Sequence, residues 1–394
     1  MISSSRCTHL LLLLPLMFSF FVMGFVDLVG IASNYAKADY QLTDTTANFL
    51  PSLVFFWFLL FSVPTSILMN KIGRKRTLLL SLCVTMAALL LPVFNKSFAG
   101  MLAAFSLLGI GNTLMQTSVT PLLSTVVSDD ELSSALTFGQ FVKAIASFLA
   151  PLIAAWGVHY NVFGMNWRIL LVAYMLIAVL AVMVLSATPF SDEKPADTSG
   201  LRSTFALMRR PMVCGCFIGI LCHVGIDVGI NATAPRIFQE YEGLSLTHAG
   251  RITSFYFICR TVGCLLGTFF LSRVSNRRFF VLSVVCIMCG LIGFAGFRSE
   301  TALYLCVALI GLGNSNVFSI TLTQALQSCP EYKNEVSGLM IMGLFGVTIF
   351  PLAMSMASDG IGSQLGAVAV MLVAAAYLLF FAFKIQGETL IANS

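Results

Sequence analysis

Gly109-Ile110-Gly111-Asn112-Thr113 returns about 200 residues downstream as Gly311-Leu312-Gly313-Asn314-Ser315, each time inside a long apolar run. Three other coincidences keep that register. Asp27 corresponds to Asp227, Pro151 to Pro351, and the loop Asn70-Lys71-Ile72-Gly73-Arg74-Lys75-Arg76 to Ser275-Asn276-Arg277-Arg278. Four matches at offsets of about 200 residues argue for two homologous halves of a repeat protein, and in an apolar chain this is the signature of paired helical bundles that rock about a site near the membrane midplane.

Composition agrees. Of 394 residues, 58% are hydrophobic and 10% charged, where a soluble domain carries about 45–50% and about 25%. An ordinary soluble enzyme is excluded. Apolar runs predict helices at 10–33, 47–69, 77–94, 99–123, 135–157, 167–188, 211–235, 248–271, 279–297, 301–328, 336–357 and 364–384. Twelve spans of about 20 residues use roughly 240 residues, leaving only loops. The expected fold is an all-α membrane protein, with twelve transmembrane helices in two pseudo-symmetric six-helix bundles. Residues 1–190 form one bundle, 191–210 a cytoplasmic linker and 211–394 the other. With both termini in the cytoplasm, 14 of the 22 basic residues fall on that side, as the positive-inside rule requires. A bacterial inner membrane is the expected location. Arg6 before the first run resembles the start of a signal peptide, but the run continues to Gly30, so an uncleaved first helix is expected.

The polar residues inside the runs carry the functional reading. A charge at membrane depth costs about 2.5–3.5 kcal/mol on insertion scales, so it marks a pathway or a pair. Desolvation penalises the charged form of a carboxylate. Asp27 and Asp227 are therefore candidate proton-coupling groups, the alternative being that they cap loops near the helix ends. Asn112, Gln116 and Thr120 share one face of the fourth helix, His223, Asp227 and Asn231 one face of the seventh, and Asn314, Phe318 and Thr321 one of the tenth. Amides and hydroxyls in such stripes suit sugar hydroxyls, or else bond neighbouring helices. Lys143 lies about eight residues into the fifth predicted helix, roughly 12 Å deep. It is a candidate to pair with Asp27 or to hold a substrate carboxylate, and Arg260 in the eighth helix is a second candidate or a strut. Phe20, Trp57 and Phe318 could stack on a sugar ring or simply pack.

The loop Ser66-Ile67-Leu68-Met69-Asn70-Lys71-Ile72-Gly73-Arg74-Lys75 resembles the motif G-x-x-x-D-R/K-x-G-R/K-R/K of the major facilitator superfamily. Lys71, Gly73, Arg74 and Lys75 match and are the expected gating loop; Ser66 replaces glycine and Asn70 the acid that the family is thought to use in latching its inner gate. Within the superfamily the chain resembles the fucose–glucose–galactose:proton symporter branch, through Asp27, Gln116 with Thr120-Pro121, His223-Val224-Gly225-Ile226-Asp227, and Asn314-Ser315 with Phe318. Thr120 stands for the branch's Asn, His223 for Tyr and Asp227 for Glu. Gln116 sits where the fucose type has a carboxylate and the glucose type a glutamine. The resemblance implies uptake of a monosaccharide with a proton by alternating access.

An acidic sugar, sialic acid or hexuronate, is the alternative substrate that Lys143 and Arg260 favour. Sodium is the alternative ion, and export of small lipophilic compounds a third function. No H-E-x-x-H or G-x-S-x-G motif occurs, so no enzyme is expected, nor any cofactor, metal or nucleic-acid partner. Most of the 11 cysteines sit in apolar runs and read as small core residues. The expected partners are the sugar, the coupling ion and the lipid bilayer, and the expected state is a monomer.

Overall fold

The computed structural model describes residues 2–161, 164–190, 200–242 and 246–385. Residues 191–199 of the expected linker, Lys194 included, lie outside them. Twelve helices among the described residues are long and apolar enough to cross a membrane. They are α1 (Leu11–Tyr40), α2 (Phe49–Ile72), α3 (Arg74–Phe94), α4 (Phe98–Leu123), α5 (Leu132–Tyr160), α6 (Asn166–Ala187), α7 (Pro211–Glu240), α8 (Arg251–Leu271), α9 (Asn276–Gly296), α10 (Glu300–Ser328), α11 (Pro330–Ile361) and α12 (Leu365–Ala382). No strand occurs among the described residues. Each helix overlaps one predicted run, and several continue past it, because backbone hydrogen bonding does not stop where apolar side chains do.

Local chemistry sets the ends. Ser97 caps α4 by accepting from the Gly100 N–H at 3.0 Å, which satisfies a first-turn donor. Gly73 ends α2 and opens α3 with φ +87° and ψ 158°, a conformation that glycine alone adopts readily. Two spans also break inside. The backbone of α1 tightens into a 3-10 turn at Gly24–Asp27, and α10 is interrupted at Ser315 and Asn316 between Glu300–Asn314 and Val317–Ser328.

Packing divides the chain into two compact units. The first contains Met1–Ser128, Gly139–Ala206 and Glu331–Met342; the second contains Asp129–Phe138, Leu207–Pro330 and Gly343–Ser394. They follow the two halves of the repeat except that the start of α5 packs with the second unit and the start of α11 with the first.

Within each unit the repeated Gly-x-Gly performs the same task. A Cβ at Gly109 would lie 2.6 Å from the Val54 carbonyl oxygen of α2, and one at Gly111 2.6 Å from Thr85 Oγ1 of α3. In the second unit a Cβ at Gly311 would lie 3.1 Å from the Tyr256 carbonyl oxygen of α8, and one at Gly313 2.5 Å from the Ser283 carbonyl oxygen of α9. The glycines thus admit two neighbouring backbones at once, the small-residue contact that replaces hydrophobic drive between helices in lipid. Gly111→Val and Gly313→Val each force overpacking, with an expected cost of about 1–3 kcal/mol, read as a lower melting temperature of the detergent-purified protein.

Candidate functional site

In the first unit the intramembrane polar residues gather where α1 breaks. The amide of Asn112 donates to the Met23 carbonyl at 2.9 Å, at the edge of the 3-10 turn. Gln116 Nε2 donates to Asn112 Oδ1 at 2.7 Å, and Thr120 Oγ1 lies 3.5 Å from the Gln116 carbonyl. All three side chains are buried. The stripe predicted on α4 is therefore a relay that supports the turn. Phe25 within the turn stacks on Tyr174 of α6 at 4.0 Å, and Tyr174 donates to the Ala146 carbonyl.

Asp27 closes that turn and is exposed. Its Oδ2 accepts from Ser147 Oγ of α5 at 2.5 Å. Ser147 Oγ also lies 3.2 Å from the Lys143 carbonyl oxygen. A Cβ at Gly24 would fall 2.5 Å from that same oxygen, so the backbones of α1 and α5 approach closely here. Lys143 itself is half-buried. It forms no ion pair with Asp27, and no carboxylate lies within 4.0 Å of its ammonium among the described residues.

The second unit repeats the frame with different partners. The amide of Asn314 lies 3.5 Å from the His223 carbonyl, in the relation that Asn112 has to Met23. It also lies 3.4 Å from Asp227 Oδ1 and 3.2 Å from the Tyr256 hydroxyl. His223 Nδ1 sits 2.8 Å from Asn314 Oδ1 and so donates to it. Tyr256 donates to Asp227 Oδ1 at 2.6 Å, and Arg260 Nη1 lies 3.1 Å from Asp227 Oδ2. Asn231 donates to the Asp227 carbonyl at 2.8 Å, and the ring of Phe318 stands 6.0 Å from that of His223. The structure thus gathers His223, Asp227, Arg260 and Asn314 into one cluster.

Equivalent aspartates therefore face different chemistry. Val54 and Tyr256 hold the same place under Gly109 and Gly311; four residues on, buried Phe58 stands where Arg260 does. Arg260 and Tyr256 reach Asp227 from α8 and Asn314 from α10, whereas the partner of Asp27 comes from α5. Ser147 and Tyr256 are not among the residues that the sequence singles out. Their signal was i, i+4 spacing from Lys143 and Arg260. Phe20 is fully buried, its ring against Gly139. Cys286 and Cys289 share C-x-x-C spacing, but both are free thiols, and no group of three metal-ligating side chains forms among the described residues.

The loop between α2 and α3 builds a separate network. Asn70 Nδ2 donates to Glu335 Oε1 at 2.6 Å, Asn334 Nδ2 to Asn70 Oδ1 at 2.7 Å, and Arg74 Nε to Asn334 Oδ1 at 2.6 Å. Arg74 also reaches the Pro121 carbonyl at 3.3 Å, and Lys75 the Thr188 carbonyl at 2.8 Å. Ser337 donates to the Thr117 carbonyl at 2.8 Å, and Lys71 is exposed. Buried Glu335 supplies from α11 a carboxylate that position 70 lacks.

A family model described as Major Facilitator Superfamily matches residues 13–351. The chain belongs to the major facilitator superfamily. Members of this superfamily are transporters rather than enzymes, and the chain is a multi-pass membrane protein. It is 23% identical over 394 residues to a glucose/galactose transporter of Brucella abortus biovar 1 (strain 9-941), covering 96% of this chain and 95% of that one. It is 22% identical over 390 residues to the L-fucose-proton symporter of Escherichia coli K12, covering 89% and 87%. The crystal structure of the superfamily transporter FucP superimposes with a TM-score of 0.83 at 16% identity, over 96% of this chain and 98% of that chain. These relatives match the branch that the motifs of α1, α4, α7 and α10 resemble.

Asn70→Asp restores the superfamily motif, yet here it sets a second carboxylate against Glu335. The single variant should melt lower than the parent, and Asn70→Asp with Glu335→Gln should recover. A double-mutant cycle should give a coupling of about 0.5–3 kcal/mol. Arg260→Met should likewise melt lower than Arg260→Met with Asp227→Asn, because the single change leaves an unanswered carboxylate.

Proposed function

We propose that this transporter takes up a monosaccharide together with a proton by alternating access, and that Asp27 is the acid that carries the proton. One observation supports the choice of acid. Of two aspartates in equivalent frames, Asp227 is neutralised in place by Arg260 and held by Tyr256, whereas Asp27 is exposed and has no cation within 4.0 Å among the described residues. An aspartate already paired gains little from a proton. An unpaired one at membrane depth is costly to enclose until it is protonated.

Ser147 suits this exchange. When Asp27 is ionised, the Ser147 hydroxyl donates to Oδ2; when Asp27 is protonated, its own O–H donates to Ser147 Oγ, and the serine hydrogen turns to the Lys143 carbonyl 3.2 Å away. Both states keep their hydrogen bonds, so the proton binds and leaves without stranding a donor. The choice of sugar and of proton over sodium is supported by the printed functions of the relatives in Brucella abortus and Escherichia coli. The excess of basic residues in alternate loops supports both termini facing the cytoplasm, and the bacterial sources of the relatives support an inner membrane location.

Reconstituted protein under an inward proton gradient tests the reading with labelled glucose, galactose, fucose, glucuronate and N-acetylneuraminate. At least one sugar should accumulate. Asp27→Asn should abolish accumulation while leaving counterflow of the same sugar, and Asp227→Asn with Arg260→Met should still accumulate it. Concentrative uptake by Asp27→Asn would remove that residue from coupling.

A further inference from the structure

We infer that one corner of the second unit binds the phosphate headgroup of an anionic phospholipid. Three helices meet there around Phe381 of α12. A Cβ at Gly215 of α7 would lie 2.6 Å from the Phe381 ring, the Tyr377 hydroxyl of α12 donates to the Gly215 carbonyl at 2.9 Å, and the ring of Phe280 of α9 stands 6.4 Å from that of Phe381. At this end α7 and α9 begin and α12 stops. Arg209 precedes Gly215 by six residues, Arg277 and Arg278 precede Phe280 by three and two, and Lys384 follows Phe381 by three. At about 1.5 Å per helical residue, Arg277, Arg278 and Lys384 leave their chains within about 5 Å of the level of the packed rings, and Arg209 about one turn farther out.

All four cations are exposed, and no carboxylate lies within 4.0 Å of any of them among the described residues. The flanking stretches supply none: 200–226, 272–299 and 360–385 contain no Asp or Glu. The acids Asp129, Asp130 and Glu131 of this unit belong with the end of α10, where Gln327 bonds the Asp129 carbonyl. Like charges gathered without a counter-charge repel one another, and an anion from outside the chain offsets that cost. Position selects a lipid over a soluble anion. The spans start at Pro211 and Asn276 and stop at Ala382, so the four cations lie within a turn of the span ends, at headgroup depth. Beside them Phe380 and Phe383 are 58% and 68% exposed, an apolar face for acyl chains. The Lys384 ammonium lies 4.9 Å from the centroid of the Phe380 ring, which holds it at the rim of that face. Basic pockets between the ends of membrane helices suit anionic headgroups for these reasons.

The test titrates the purified full chain with phosphatidylglycerol, phosphatidylcholine and glycerol 3-phosphate, and reads the retained ligand by native mass spectrometry. Phosphatidylglycerol should be held about 10-fold or more tightly than phosphatidylcholine, and raising the salt before transfer to the spectrometer should shrink that preference. Arg277→Gln with Arg278→Gln and Lys384→Gln should cost about 10-fold of it. Arg236→Gln with Arg251→Gln, at the other end of the same unit, should leave it intact; melting temperatures confirm that both variants fold. Equal retention of the two lipids, an undiminished preference in the folded triple variant, or an equal loss in the Arg236 and Arg251 variant overturns the site. Glycerol 3-phosphate held as tightly as phosphatidylglycerol overturns the lipid as its occupant.

Discussion

A carboxylate inside a hydrocarbon layer must be answered by a counter-charge, by water or by a proton, and the arrangement of polar residues in this protein follows from how its two aspartates are answered. In the second unit the answer is a counter-charge. Arg260 supplies the charge at 3.1 Å, while Tyr256 and Asn314 occupy Oδ1. In the first unit it is a serine hydroxyl on an exposed carboxylate, with no cation within 4.0 Å among the described residues. The first arrangement leaves a neutral pair and the second a carboxylate held by a hydroxyl alone.

Both arrangements use one scaffold. In each half an asparagine following Gly-x-Gly sends its amide to the backbone four residues ahead of the aspartate, at Met23 or at His223. Duplication explains the common frame, and divergence has moved the polar partners. Arg260 and Tyr256 lie on α8 in one unit and Ser147 on α5 in the other, with Phe58 standing where Arg260 does. The same kind of relocation occurs at the α2–α3 loop, where Asn70 has lost the motif's acid and Glu335 of α11 provides one.

The buried amides on α4 show how a polar stripe can mislead. Asn112 and Gln116 lie on one helical face, as their spacing requires, and that spacing cannot say whether the face meets a ligand or a bend in a neighbouring helix. Here their hydrogen bonds run to the turn of α1 and to each other. They set the position of Asp27 and leave fewer groups for direct contact with a sugar. A role for Gln116 in affinity would then act through its remaining oxygen or through the turn.

By itself the sequence determined the number of spans, the duplicated architecture and the candidate residues. Hydrophobic run length is a local property fixed by the thickness of the bilayer, and a repeat is visible wherever its residues survive. The pairing of those residues depended on the tertiary structure. Ser147 reaches Asp27 across 120 positions, Asn314 reaches His223 across 91, and Glu335 reaches Asn70 across 265. No periodicity encodes contacts between helices, since helical spacing specifies only which side chains share a face. That Asp227 is paired while Asp27 is open was decided by which neighbouring helix packs against each aspartate.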